Sequence, residues 1–160
     1  MNEWLSGLVS WIETLSLHDR MQTVEWAVPA VQTVHILAIA AVFSSSLVLA
    51  LRTAHVSGID WSPARWAQRL NAWVGTGLGI LLLSGVLMII GEPKRSLLSA
   101  PFQLKMMLLL AAIAVFLVLG YRLQRLDPPD RATWVERVLA ALLVLLWCAI
   151  IACGRWIAYA

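Results

Sequence analysis

His35 is the residue of this chain best suited to chemistry, because it is an imidazole set in an otherwise uncharged apolar run. An imidazole can ligate a metal or accept and release a proton near neutral pH. It lies nine residues after Trp26, which at ~1.5 Å per helical residue places it ~13 Å into the run. Gln32 stands one turn above it on the same helical face. Lys105, four residues past Pro101, sits ~6 Å into a second apolar run, and Arg155 lies near the end of a third. Each has a plainer reading. A neutral histidine can hydrogen-bond a neighbouring helix, and a lysine or arginine near a helix end can extend to the headgroups.

Their coincidence carries the argument. Ionisable groups inside apolar spans are costly and mark functional sites by default. If the spans alternate direction, His35, Lys105 and Arg155 all fall in the outer half, and the N-terminal segment adds His18, Asp19 and Glu25 on that side. An imidazole beside two cations suits a cofactor combining a metal with carboxylates, as haem b does: imidazole on iron, cations on the propionates. His55, twenty residues beyond His35, is about 30 Å away along a helix, too far to share a ligand, and reads as an interfacial residue. Cys148 and Cys153 are too far apart on a straight helix for a disulfide and read as small, buried packing thiols. Gly75 and Gly79 form a GxxxG face for close helix approach, with Ser84 and Gly85 below it and Ser44-Ser45-Ser46 serving the same end. With no preceding strand, these glycines make no phosphate loop.

The elements that must position these groups follow from composition. The 160 residues are 61% hydrophobic and 13% charged, against about 25% charged in soluble domains. That excludes both a soluble fold and a disordered chain. Trp26–Leu51, Leu70–Gly91, Met106–Tyr121 and Val138–Gly154 carry no formal charge and together hold 81 residues. A hydrocarbon core of about 30 Å takes about 20 helical residues, and the runs do not alternate as barrel strands do. The sequence therefore predicts an all-α integral membrane four-helix bundle, residues 26–160, with spans at about 26–52, 70–91, 101–124 and 134–158. Residues 1–25 read as an amphipathic helix in the interface plane: Trp4, Leu5, Leu8, Trp11, Ile12 and Leu15 recur at helical spacing between polar positions. Its acidic start is unlike a cleaved signal peptide. Ser57-Gly58, Gly91-Glu92-Pro93 and Asp127-Pro128-Pro129-Asp130 read as the breaks, and Ser62-Pro63 as a helix start.

Seven of the twelve basic residues, Arg52, Arg65, Arg69, Arg122, Arg125, Arg131 and Arg137, lie in the connections after spans one and three. Positive loops stay inside, so the reading is a multi-pass protein of a bacterial inner membrane with both termini outside. Nine Trp fit two interfacial belts, with Trp147 alone near mid-span. The pI near 9.3 follows from these loops and implies lipid contact, not nucleic acid. No loop carries a nucleophile, base and acid together.

These residues also carry a resemblance. Trp26-Ala-Val-Pro29-Ala-Val-Gln32-Thr-Val-His35-Ile-Leu, running on to Leu51-Arg52, resembles the first span of a bacterial four-helix membrane family of unknown function. That family is similar in turn to the copper-resistance D-type membrane proteins and the haem-binding membrane protoporphyrinogen oxidases. Pro101-Phe102-Gln103-Leu104-Lys105-Met106 resembles the start of their third span, and Gly154-Arg155-Trp156-Ile157-Ala158-Tyr159 the closing motif of the uncharacterised family. The resemblance implies a haem-ligand role for His35, with Lys105 beside it. The chain departs from the oxidases after the histidine, at Ala40-Ala41-Val42-Phe43-Ser44, and has no second intramembrane histidine.

The functional expectation is a small redox membrane protein binding haem b through His35, with Lys105, Arg155 and Gln32 around the cofactor and a quinone or a redox protein as partner. Two alternatives stand beside it: a non-catalytic anchor or subunit of a homo- or hetero-oligomeric complex, and a metal or small-solute transport component. Met88, Met106 and Met107 form no spaced ladder with His35, which argues against the last.

Overall fold

The computed structural model describes residues 2–54, 63–125 and 132–157, all of it helix, turn or connection. His55, the Ser57-Gly58 turn, Trp61 and the Asp127–Asp130 break lie outside the described residues. The helices run in the order α1 (Asn2–Glu13), α2 (Ser16–Thr23), α3 (Ala27–Thr53), α4 (Pro63–Gly91), α5 (Pro93–Leu97), α6 (Ala100–Gln124) and α7 (Trp134–Ile157).

Four stretches are long and apolar enough to cross a bilayer: Ala27–Thr53, Asn71–Gly91, Ala100–Gln124 and Trp134–Trp156, with mean hydropathy of 2.2 to 2.4. Only 17–28% of each is buried inside the molecule, so most of the apolar surface requires lipid as its solvent. The protein is a multi-pass membrane protein, and its four spans match the sequence reading. The exposed Trp4, Trp11, Trp26 and Trp156 lie toward one end, and Trp73 and Trp134 toward the other, as interfacial anchors do.

The spans form a ring in the order α3, α4, α6, α7, with α3 against α4 and α6 against α7 as the longest contacts, and α4 against α6 the shortest of the four. Each presents an inner seam spaced by threes and fours. On α3 it is Ala38, Val42, Ser46, Leu49 and Thr53. On α6 it is Ala112, Phe116, Leu119 and Leu123, and on α7 Glu136, Ala140, Leu143, Trp147 and Ile150. That is the seam of near-parallel helix packing. With lipid outside, close van der Waals fit holds the seams rather than hydrophobic exclusion.

The close approach between α3 and α4 rests on Gly77. A Cβ there would stand 2.5 Å from Val42 Cγ2, and valine on a helix has little rotamer freedom to yield. The GxxxG pair expected to do this work does not: a Cβ at Gly75 or Gly79 meets nothing within 4 Å. The two glycines face outward, a third of a turn or more from the seam.

The N-terminal segment is two helices rather than one continuous one, broken between Glu13 and Ser16. Together they close the end of α4, whose last carbonyls have no partner within the helix. His18 Nδ1–H donates to the Ile90 carbonyl at 2.7 Å, and Gln22 Nε2–H to that of Gly91 at 2.6 Å. Glu13 pairs with Lys94 at 3.1 Å, and Val9, Ile12 and Met21 are buried beneath.

At the other end, Glu136 ties α6 to α7. Its carboxylate accepts from Arg122 Nε at 2.7 Å, from the Thr133 backbone N–H at 2.8 Å and from the Thr133 hydroxyl. It is 2% exposed. Thr133-x-x-Glu136 is a capping-box arrangement at the start of α7, with the arginine of the preceding span added.

Candidate functional site

The His35 end of the ring encloses a cavity of ≈ 260 Å³ to which all four spans contribute. His35 and Ile39 come from α3, Gly85 and Met88 from α4, Lys105 and Met106 from α6, and Trp147 and Gly154 from α7. Antiparallel packing brings them to one level. His35 is eight residues from the start of α3, Ser84 seven from the end of α4, Lys105 five from the start of α6 and Gly154 three from the end of α7. Apart from His35, Lys105 and Ser96 the walls are apolar, and Leu82 and Val86, both lipid-facing, form a rim on the α4 side.

His35 is held by Ser84, with Nδ1 2.8 Å from Oγ. The hydrogen count fixes the direction. Ser84 Oγ also stands 2.6 Å from the Ile80 carbonyl oxygen, and two oxygens approach that closely only with a proton between them. A hydroxyl has one proton to give, and back-bonding to the carbonyl four residues earlier commits it. Ser84 therefore accepts from His35, Nδ1 bears a proton, and in the neutral ring Nε2 carries the lone pair. Gly85 gives the ring its room, since a Cβ there would stand 3.7 Å from His35 Cε1. Across the cavity Lys105 Nζ lies 3.9 Å from where a Cβ of Gly154 would be. An amine donor and an unprotonated ring nitrogen thus share a space whose other surfaces offer almost nothing polar.

Residues 9–160 match the family of unknown function DUF6644. The chain belongs to this family. No curated protein and no solved structure matches it.

Of the four residues expected around the cofactor, His35, Lys105, Arg155 and Gln32, the cavity brings together the first two. Gln32 and Arg155 are exposed and line no part of it. His18 is taken up by the end of α4, and Asp19 and Glu25 are exposed. Cys148 is exposed rather than buried, Cys153 is half-buried, and both are free thiols. Among the described residues no three His, Cys, Asp or Glu cluster to hold a metal.

Two positions at this cavity escaped sequence reading. Ser84 reads as a small packing residue, although its distance from the end of α4 equals that of His35 from the start of α3 to within one residue. Gly154 reads as part of a terminal motif, although it makes the space beside Lys105. Depth along antiparallel spans is the signal that would have paired them.

Proposed function

We propose that this membrane protein is a redox component that binds haem b in the cavity at the His35 end, on the outer side of a bacterial inner membrane. The observation that carries the reading is the state of His35. A ligating histidine commonly donates its second ring N–H to an oxygen, which fixes the tautomer and aims the other nitrogen, and Ser84 has that relation to Nδ1. With no further cluster of ligating side chains among the described residues, a single imidazole suits a metal whose other ligands arrive with it, as iron arrives in a porphyrin. The apolar walls suit an edge of the macrocycle, ≈ 260 Å³ being less than a whole porphyrin fills, and Lys105 is the cation available to a propionate. Bound haem would supply one-electron chemistry. The chain's own part is to hold the ring through His35 Nε2 and to exclude water with Trp147, Ile150 and the other apolar walls.

The test is the visible absorption spectrum of the detergent-purified protein. A Soret band in the wild type that His35→Ala removes and Gln32→Ala leaves intact is the expected result. A colourless wild type, after expression with added haem precursor, refutes the proposal.

A quinone ring is the second reading. It is favoured by the enclosed volume, slightly below the about 300–1,000 Å³ usual for sites of drug-sized ligands, and by the lipid-facing rim at Leu82 and Val86. Lys105 could donate to one carbonyl oxygen, and His35 Nε2 could accept from the hydroxyl of the reduced form. Quenching of Trp147 fluorescence by a short-chain quinone, lost in His35→Ala, separates this from the haem reading.

A further inference from the structure

The shortest contact of the ring, between α4 and α6, opens at the arginine-rich end into a second hollow of ≈ 700 Å³. Its walls are Gly75 and Leu78 on α4 and Ile113 and Leu117 on α6, with Asn71, Tyr121 and Gln124 at its outer end. The polar groups are confined to that end, where Asn71 begins one span and Gln124 closes another.

We propose that this groove binds one acyl chain of an anionic phospholipid, its phosphodiester held by the Asn71 and Gln124 amides and the Arg125 guanidinium. Three observations on the page lead there. The first is length. From Gln124 to Ile113 is eleven residues, ~16 Å along the helix, or about half of a 30 Å hydrocarbon core. The groove is as deep as one leaflet.

The second is charge. By sequence the two connections at this end carry Arg52, Arg65, Arg69, Arg122, Arg125, Arg131 and Arg137 against Asp60, Asp127, Asp130 and Glu136, a basic excess, and the Glu136 carboxylate is bonded to Arg122. Arg125 stands with its guanidinium 4.2 Å over the ring of Tyr121, itself part of the groove wall, so a cation is fixed at the mouth. Basic pockets between spans recognise anionic headgroups.

The third is the outward-facing glycine. Gly75 has no neighbour within 4 Å of a Cβ position and deepens the groove without serving the bundle. Gly120 on the far wall is different, because the Asn71 amide already lies against it, at 3.6 Å from a Cβ position.

The open space at Gly75 supplies the test. Gly75→Leu fills the groove from a position where an added Cβ meets nothing within 4 Å. Full-length protein in mild detergent is offered phosphatidylglycerol or phosphatidylcholine and examined by native mass spectrometry. The wild type is expected to retain one phosphatidylglycerol per chain in preference to phosphatidylcholine. Gly75→Leu should lose the adduct at unchanged thermal midpoint without lipid. Arg125→Ala should cut the preference about fivefold, the worth of one cation at an anionic surface. Leu117→Trp, at an exposed wall position, fills the same groove and stands in should Gly75→Leu fail to fold. Equal retention of both lipids, or an adduct that survives both groove-filling variants, overturns the proposal. So does a dimer that Gly75→Leu splits while lipid retention stays the same, which would assign the face to a second copy of the chain.

Discussion

The two ends of the bundle treat buried polar groups in opposite ways. At the arginine-rich end, Glu136 accepts three hydrogen bonds from Arg122 and Thr133 and no cavity adjoins it among those described. At the other end, His35 makes one hydrogen bond through one nitrogen, and the second nitrogen belongs to a ring that lines a cavity shared with Lys105. A satisfied network rigidifies a fold. A half-satisfied one beside a cavity leaves a ring nitrogen available to a ligand. Burial and charge alone would rank Glu136 first as a functional residue; the count of partners reverses that order.

Five substitutions would break or sharpen this contrast. Glu136→Ala has the largest expected effect on stability, a loss of about 2 kcal/mol, since it removes charge-assisted bonds and a helix cap together. The figure stays moderate because the Arg122 side chain is 45% exposed and can turn to water. Thermal unfolding in detergent measures it, and an unchanged midpoint would mean the network is incidental. Ligand binding at the far end should survive in the fraction that remains folded.

His35→Ala should show the reverse pattern. One hydrogen bond between spans is worth about 0.6 kcal/mol, so the midpoint should barely move while binding at the cavity is lost. A destabilisation as large as that of Glu136→Ala would make His35 a structural residue and erase the contrast.

Gly85→Val adds bulk 3.7 Å from His35 Cε1 and should weaken cavity binding while leaving the bundle intact. Binding equal to wild type would place the ligand on another side of the ring. Smallest of all, Gln32→Ala and Arg155→Ala should shift stability by no more than about 0.5 kcal/mol and leave cavity binding unchanged. Loss of binding in either would return that residue to the site.

Much of this arrangement was legible before folding. The charge-free runs located all four spans, and the odd polar residues gave His35 and Lys105 a common depth. Thr133-x-x-Glu136 before an apolar run is a readable helix start. Other features were not legible. Cys148 was read as buried and faces outward, Gly75 and Gly79 were assigned a contact that Gly77 makes, and Gln32 shares a helix with His35 but not its cavity.

The misreadings of Cys148 and of the two glycines have one cause. The sequence by itself determined where the chain crosses the membrane, since insertion depends on apolar length and flanking charge, both read along one dimension. Which side of each helix faces its neighbours was decided only by the tertiary structure. In water, a polar stripe marks the outer face of a helix. In lipid the outside is as apolar as the core, so α3 and α6 are hydrophobic all round, and nothing in their pattern says that Val42 packs inward or that Ser84 will meet His35. Side-chain volume settles it, when Gly77 lets α3 and α4 close together.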